Sequence, residues 1–359
     1  MRIALRVASG LAFAVAALGV GGASAGTAGN WYNAYDLVSD ASGTAAPHAD
    51  ASLVNGWGLV AGPTTPWWTS NNGTNTSTLY NGVGVKSALT VSVPGGPTGT
   101  VFNGNASDFV VSAGGKSGAA RFLFSTQAGT ILGWSPTVNG TLAVTAVDNS
   151  AAKAEYDGLA TANDRLYATD FHNARVDVFD AKFAPVALAN GFTDKQIPKG
   201  WAPFGIQALG GNIFVTYAKQ NSAKNASVAG GGLGYVDQFS SDGVLLSRVA
   251  KRGLPKAPLN APWGLAMAPS TFGGFGGDLL VGNFGNGKIS AYAPVSGASG
   301  NAWKYKGQLR IATGQIIKID GLWGLAFGNG AAAGSTNNLY FLAGPTGQSH
   351  GLFGFITVG

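Results

Sequence analysis

The sequence predicts an all-β fold: a six-bladed β-propeller of four-stranded blades, with an amino-terminal strand closing the last blade. Three observations predict it. The phrase Trp-Gly-Leu stands at Trp57-Gly58-Leu59, Trp263-Gly264-Leu265 and Trp323-Gly324-Leu325, with weaker copies at Tyr156-Asp157-Gly158-Leu159-Ala160 and Pro203-Phe204-Gly205-Ile206. Its spacing of roughly 40 to 60 residues is that of propeller blades. Charged residues make up only 11 % of the chain while glycine reaches 57 copies and hydrophobic residues 45 %, a composition for short buried strands and tight turns that leaves helix nearly absent. Finally, the last blade is one strand short, and strand-like residues 32–38 precede the first phrase with no partner of their own.

Within each blade the phrase belongs to the innermost strand. Its glycine lets backbones converge on the channel, and strand alternation predicts that Trp and Leu share one face and pack on the neighbouring blade. Blade one reads as strands 58–61, 66–70, 77–81 and 88–93. Blade two lacks the phrase and reads as 109–112, 121–125, 130–134 and 143–147. Blade three reads as 158–160, 165–170, 175–179 and 185–188. Blade four runs from Phe204 through 213–217 and 234–239 to 245–248, with an Asn/Ala/Gly insertion at 220–232 expected to be mobile. Blade five runs from Trp263 through 278–283 and 288–292 to 307–311. Blade six has only 323–327, 338–342 and 351–356, so strand 32–38 is expected to complete it and remove an exposed edge.

Arg2 and Arg6 precede an apolar run, 11–20, and Ala23-Ser24-Ala25 supplies small residues for cleavage. Residues 1–25 therefore read as a signal peptide and 26–359 as one domain exported to the periplasm or beyond, the run being shorter than the ~20 residues that span a bilayer. No transmembrane segment is expected after cleavage. The absence of cysteine excludes disulfides and thiolate chemistry. Losing Arg2 and Arg6 lowers the formal charge from +6 to about +4, too weak for a nucleic-acid footprint, so no nucleic-acid partner is expected.

Two catalytic patterns fail on context. Gly347-Gln348-Ser349-His350-Gly351 matches the nucleophile elbow, but no helix follows to make the strained strand-to-helix turn. Gly282-Asn283-Phe284-Gly285-Asn286-Gly287-Lys288 approaches a phosphate loop, yet Ile289 stands where Ser or Thr binds magnesium. A hairpin with a type I′ turn at Asn286-Gly287 is expected there.

Oxygen-bearing side chains just ahead of the inner strands, Asn55, Glu155, Asp157, Asn260 and Asp320, are expected at one channel mouth. Carboxylate and amide oxygens of this kind suit calcium, with Glu155, Asp157 and Asp320 supplying charge. The same residues also suit backbone capping of tight turns, and their register against the phrase differs from blade to blade. His172 is placed at the same mouth as a candidate base or a solvated loop residue. His350 has no carboxylate close in sequence. Lys195, Lys199, Lys219, Lys224, Lys251, Arg252 and Lys256 make the region from blade four into blade five basic.

The segment Leu166-Tyr167-Ala168-Thr169-Asp170-Phe171-His172-Asn173-Ala174-Arg175-Val176 resembles an NHL-type repeat. Residues 53–59, 62–68, 260–266, 280–285 and 320–330 resemble an uncharacterised family of exported bacterial propeller proteins, over nearly all of the mature chain. Some members carry a PEP-CTERM sorting tail, which is absent here. The resemblance implies the fold and no established activity. Related lactonase-like propellers hold a catalytic metal near the channel mouth, which implies a calcium-dependent lactonase or gluconolactonase as one reading. The other, which the lack of a nucleophile-base pair favours, is a non-catalytic scaffold for a protein or small-molecule ligand.

Overall fold

The computed structural model describes residues 30–41, 44–250, 258–295 and 302–359; the proposed signal peptide and the basic residues Lys251, Arg252 and Lys256 lie outside them. Six small sheets form the six blades of the predicted propeller. Blade one comprises Gly56–Val60, Trp67–Asn71, Thr76–Tyr80 and Lys86–Ser92. Blade four comprises Trp201–Leu209, Asn212–Lys219, Tyr235–Phe239 and Leu245–Ala250, and blade five Pro262–Met267, Leu279–Asn283, Ile289–Val295 and Ala302–Gln308. The last strand of blade five thus begins several residues before the expected 307–311. Helix among the described residues is confined to single turns; the longest, Pro345–Gln348, contains left-handed Thr346 and Gly347.

Closure is as the sequence predicts. Blade six runs Leu322–Phe327, Leu339–Ala343, Leu352–Val358, and Tyr32–Ser39 then pairs antiparallel with Leu352–Val358 in the register Tyr32↔Val358 to Ser39↔Leu352. The short strand His48–Ala49 adds a parallel fifth member outside it. Tyr32 also reaches blade five, donating its hydroxyl to the Phe272 carbonyl at 3.2 Å and stacking on Phe275.

Two blades depart from expectation. The innermost strand of blade two is Pro97–Phe102, followed by Phe122–Thr126, Thr130–Trp134 and Val144–Asp148. The stretch assigned to its first strand instead lies in a separate hairpin, Val110–Ala113 with Lys116–Ala119. Blade three has three strands, Tyr156–Ala162, Arg165–Asp170 and Arg175–Phe179. Its expected fourth strand is reduced to a bridge from Phe179 to Pro185 and one bond from Val186 N–H to the Val178 carbonyl. Proline offers no N–H to extend a ladder there. The insertion 220–232 is fastened rather than loose, through the Gln220↔Ser227 bridge and a bond from Gly230 N–H to Asn260 Oδ1.

The apolar cores lie between neighbouring blades. Leu59 packs with Leu342 and Phe353 of blade six, Leu159 with Leu123 of blade two, Ile206 with Tyr167 of blade three, Leu265 with Phe214 of blade four and Leu325 with Leu280 of blade five. The leucine of the phrase therefore faces the preceding blade, as alternation predicts. The tryptophan does not.

Candidate functional site: the channel plug and its mouth

Every inner strand carries one extra residue against its neighbour at the same place. Gly56 and Leu59 oppose Asn71 and Thr69; Pro97 and Thr100 oppose Thr126 and Phe124; the same two-against-one irregularity recurs in blades three to six. A bulge of this kind interrupts the period of two and re-aims a side chain. It sends Trp57, Thr98, Asp157, Phe204, Trp263 and Trp323, each just before the phrase glycine, away from the leucine face. That corrects the expectation that Trp packs between blades.

The glycine is fixed by the next blade. A Cβ at Gly205 would overlap the Trp263 carbonyl, and one at Gly324 would fall on the Trp57 carbonyl, closing the ring of contacts from blade six back to blade one.

Trp57, Phe204, Trp263 and Trp323 converge into one buried cluster. Trp57 stacks on Trp323 with centroids 3.5 Å apart, Phe284 covers the other face of Trp323 at 4.0 Å, and Trp263 stands edge-on to both indoles. The Trp323 indole N–H donates to Asn55 Oδ1 at 3.1 Å and that of Trp263 to the Asp157 carbonyl at 3.0 Å. Beside the phrase glycines only about 20 Å³ of cavity remains. Aromatic rings plug the channel.

Asp157 enters this centre as a carboxyl, buried, with Oδ1 lacking any hydrogen-bond partner among the described residues. Burial, reinforced by the charges of Glu155 and Asp170, holds its pKa well above the carboxylate range. Glu155 is pushed up to about 7 by burial and then by Asp170. Asp170 is itself raised by burial, although Asn173 donates to it through backbone N–H and side-chain Nδ2 and Arg175 stands 3.4 Å away. The raised pKa of each favours its protonated form, in which a carboxyl donates a hydrogen bond as well as accepting one.

The mouth lies where the inner strands begin. Asn55, left-handed at φ 50°, a conformation asparagine tolerates, links blades through its amide. Its Nδ2 donates to Asn72 Oδ1 and to Gln348 Oε1, each at 3.1 Å, and Asn72 donates onward to Gln127 Oε1 at 2.9 Å. An amide rim thus spans blades six, one and two.

The five predicted oxygen-bearing residues have different partners. Asn260 Oδ1 accepts from Gly230 N–H at 2.7 Å, and exposed Asp320 accepts from Thr346 N–H at 2.8 Å. Both cap backbone. Glu155 and Asp157 stay together on blade three, joined by Asp170. Among the described residues no group of three or more His, Asp or Glu side chains is placed to hold a metal ion, so Glu155, Asp157 and Asp320 do not form one carboxylate set.

His172 lies in the blade-three turn, half-buried, and its carbonyl accepts from Gln220 Nε2 at 3.3 Å. His350 does have a carboxylate, Asp40 at 2.8 Å, from the far end of the sequence. Ser349 donates instead to the Thr346 carbonyl at 2.7 Å, as a turn residue does. The Asn283 to Lys288 turn is a hairpin as expected, with a left-handed conformation at Gly287 but not at Asn286, so it is not type I′.

On this same face a cavity of about 550 Å³ opens between blades three and four, with Arg175, Lys199, Trp201, Tyr217, Gln220 and Lys224 in its wall. Arg175 and Gln220 connect it to the carboxyl group cluster and to the His172 turn. Sequence reasoning missed Asn72, Gln127, Asp170, Gln220 and Gln348. All sit in or beside the turn after the second strand of a blade, which returns to the face where the first strand starts, and that repeated position was the available signal.

No family model matches the chain. Uncharacterised protein R648 of Acanthamoeba polyphaga mimivirus is 31 % identical over 305 residues, covering 81 % of this chain and 72 % of the viral protein. Uncharacterised protein L690 of the same virus is 31 % identical over 294 residues, covering 78 % and 75 %. The chain belongs to the family of these proteins. A further member, R640, is 31 % identical over 233 residues, 64 % of this chain, but the match spans only 42 % of R640. Among solved structures, a streptogramin B lyase superposes with a TM-score of 0.54 at 11 % identity, covering 92 % of this chain and 98 % of the lyase. A protein of unknown function from Bacteroides thetaiotaomicron gives 0.53 at 12 %, covering 92 % and 73 %. Such likenesses show the six-bladed fold alone.

Proposed function

We propose that this family member is a binding scaffold that takes a small polar ligand on its mouth face. The observation that supports this is the 550 Å³ cavity between blades three and four, within the 300–1,000 Å³ range of small-molecule sites. Two lysines, an arginine and an indole stand in its wall, and the carboxyls of Glu155 and Asp157 lie beyond Arg175. The aromatic plug gives the mouth a solid floor, so a ligand binds on the ring rather than passing through it. Among the described residues, no side chain in that wall pairs a nucleophile with a base.

The competing reading is a calcium-dependent lactone hydrolase. Both are tested on purified protein with gluconate and δ-gluconolactone. The scaffold reading expects gluconate binding that weakens at least tenfold in Lys199→Glu with Lys224→Glu, melts that superimpose in calcium and in chelator, and no lactone hydrolysis above the spontaneous rate. Calcium-dependent hydrolysis abolished by Asp157→Asn with Asp320→Asn would replace it. Export follows as part of the proposal: protein recovered from outside the cytoplasm is expected to begin after Ala25, which an intact mass measures.

A further inference from the structure

The opposite face carries a second concavity, independent of the mouth. It lies between blades one and two, where the inner strands end, and encloses about 620 Å³. Its wall is aromatic. Trp68 and Phe122 stack at 4.0 Å and 15°, Trp134 tilts against Trp68 at 4.6 Å, and Phe102 closes the row at 5.3 Å from Phe122. These rings serve the core between the two blades as well as lining the opening, so their positions are set by packing.

The facing loop is held just as firmly. Asn329 of blade six donates to the Gly62 carbonyl at 2.8 Å and the Thr65 carbonyl at 2.9 Å, while Gly62 N–H donates to Thr65 Oγ1. Pro63 and Pro66 stiffen it further. A Cβ on Gly62 would press into the Phe102 ring, so the loop lies flat on that aromatic.

One charge interrupts this apolar wall. The Arg121 guanidinium lies over the Phe102 ring at 5.2 Å, half-buried, and no carboxylate among the described residues stands within ion-pair distance of it. A guanidinium presents a planar fork that matches a carboxylate with two parallel hydrogen bonds, and the small surface that Trp68, Phe122 and Trp134 leave open to the pocket is an apolar wall for a flat ring. We infer that this pocket binds a small planar aromatic carboxylate, its ring against Trp68, Trp134 and Phe122 and its carboxylate on Arg121.

The test uses the whole protein and three probes: 2-naphthoate, the uncharged 2-naphthalenemethanol and acetate. Titration calorimetry is expected to show naphthoate binding with a Kd of about 1 mM or tighter, the alcohol at least tenfold weaker and acetate not at all. Arg121→Met keeps an aliphatic stem on Phe102 and is expected to melt like the parent while binding naphthoate no better than the alcohol. Arg121→Lys, with charge but no fork, is expected to fall between. The mouth variant Lys199→Glu with Lys224→Glu is expected to leave naphthoate affinity unchanged, which separates this site from the one proposed above. Equal affinity for naphthoate and the alcohol in the parent, affinity indifferent to Arg121→Met, or a proline-rich peptide binding where naphthoate does not would each overturn the inference.

Discussion

Blades two and three meet the channel with Thr98 and Asp157; blades four, five, six and one meet it with Phe204, Trp263, Trp323 and Trp57. The backbone beneath all six is the same bulge followed by the same glycine. The polar arc and the aromatic arc therefore differ in one side chain per blade, and the difference separates architecture from chemistry. Glycine and the bulge hold the ring; the residue before the glycine decides what the channel presents. On the polar side the hydroxyl of Thr98 donates to the Tyr156 carbonyl at 2.5 Å, whereas Asp157 leaves an oxygen unpartnered.

The heaviest blow to the ring is loss of its seam. Deleting 32–39 strips blade six of an edge strand and Tyr32 of its place against Phe272 and Phe275. Calorimetry is expected to show Tm lower by about 10 °C or more, at roughly 2 °C per kcal/mol for a chain of this size. A deletion protein that melts like the parent would disprove closure by this strand.

The shared backbone comes next. Gly205→Ala pushes a methyl into the Trp263 carbonyl, and about 3 kcal/mol or more is expected in denaturant unfolding. Gly158→Ala, whose nearest neighbour is the Phe204 carbonyl at 2.9 Å, is expected to cost less. Equal, small costs in both would sink the idea that glycine is set by the adjoining blade.

Side chains of the aromatic arc follow. Trp323→Ala removes a ring sandwiched between Trp57 and Phe284, for about 3 to 5 kcal/mol. Thr98→Val, on the polar arc, is expected to cost about 1 kcal/mol, the worth of one hydrogen bond.

The last effect has the opposite sign. A carboxyl whose folded pKa is raised binds its proton more tightly when folded, so stability is lost as pH climbs above the unfolded value. For Glu155 that window runs from about pH 4.5 to about 7. Glu155→Gln is expected to flatten the decline and to stabilise the protein at pH 8 by about 1 to 3 kcal/mol, and Asp157→Asn to act in the same direction. Asp237, raised to about 8 by burial in blade four, contributes in the same direction and sets the residual slope. A parent whose stability is flat from pH 4 to 8 would mean that both carboxyls are solvated.

Much of this ring was legible in the sequence, because its repeating device contains a residue that nothing can replace. Where Trp or Phe preceded the glycine, the phrase announced itself. Blade two escaped because Pro97-Thr98-Gly99-Thr100 keeps the glycine and loses the aromatic, although Gly99 falls where the blade spacing requires. The bulge was not legible: it is a relation between two strands, and a single strand read alone keeps its period of two. For the same reason the mouth was only half visible. Asn55 and Asp157 stand beside the phrase, whereas Asn72 and Gln348 meet Asn55, and Gln127 meets Asn72, from turns whose positions depend on pairing.

The seam between Tyr32–Ser39 and Leu352–Val358 also sets the order of folding. The strand Tyr32–Ser39 finds its partner, Leu352–Val358, only after the other five blades have been synthesised, so those blades can form while it waits unpaired. Closing the ring is then the most non-local strand pairing among the described residues and the slow step. Until it happens, the nascent protein carries one open edge at each end of the arc, each able to pair with another chain in the same condition.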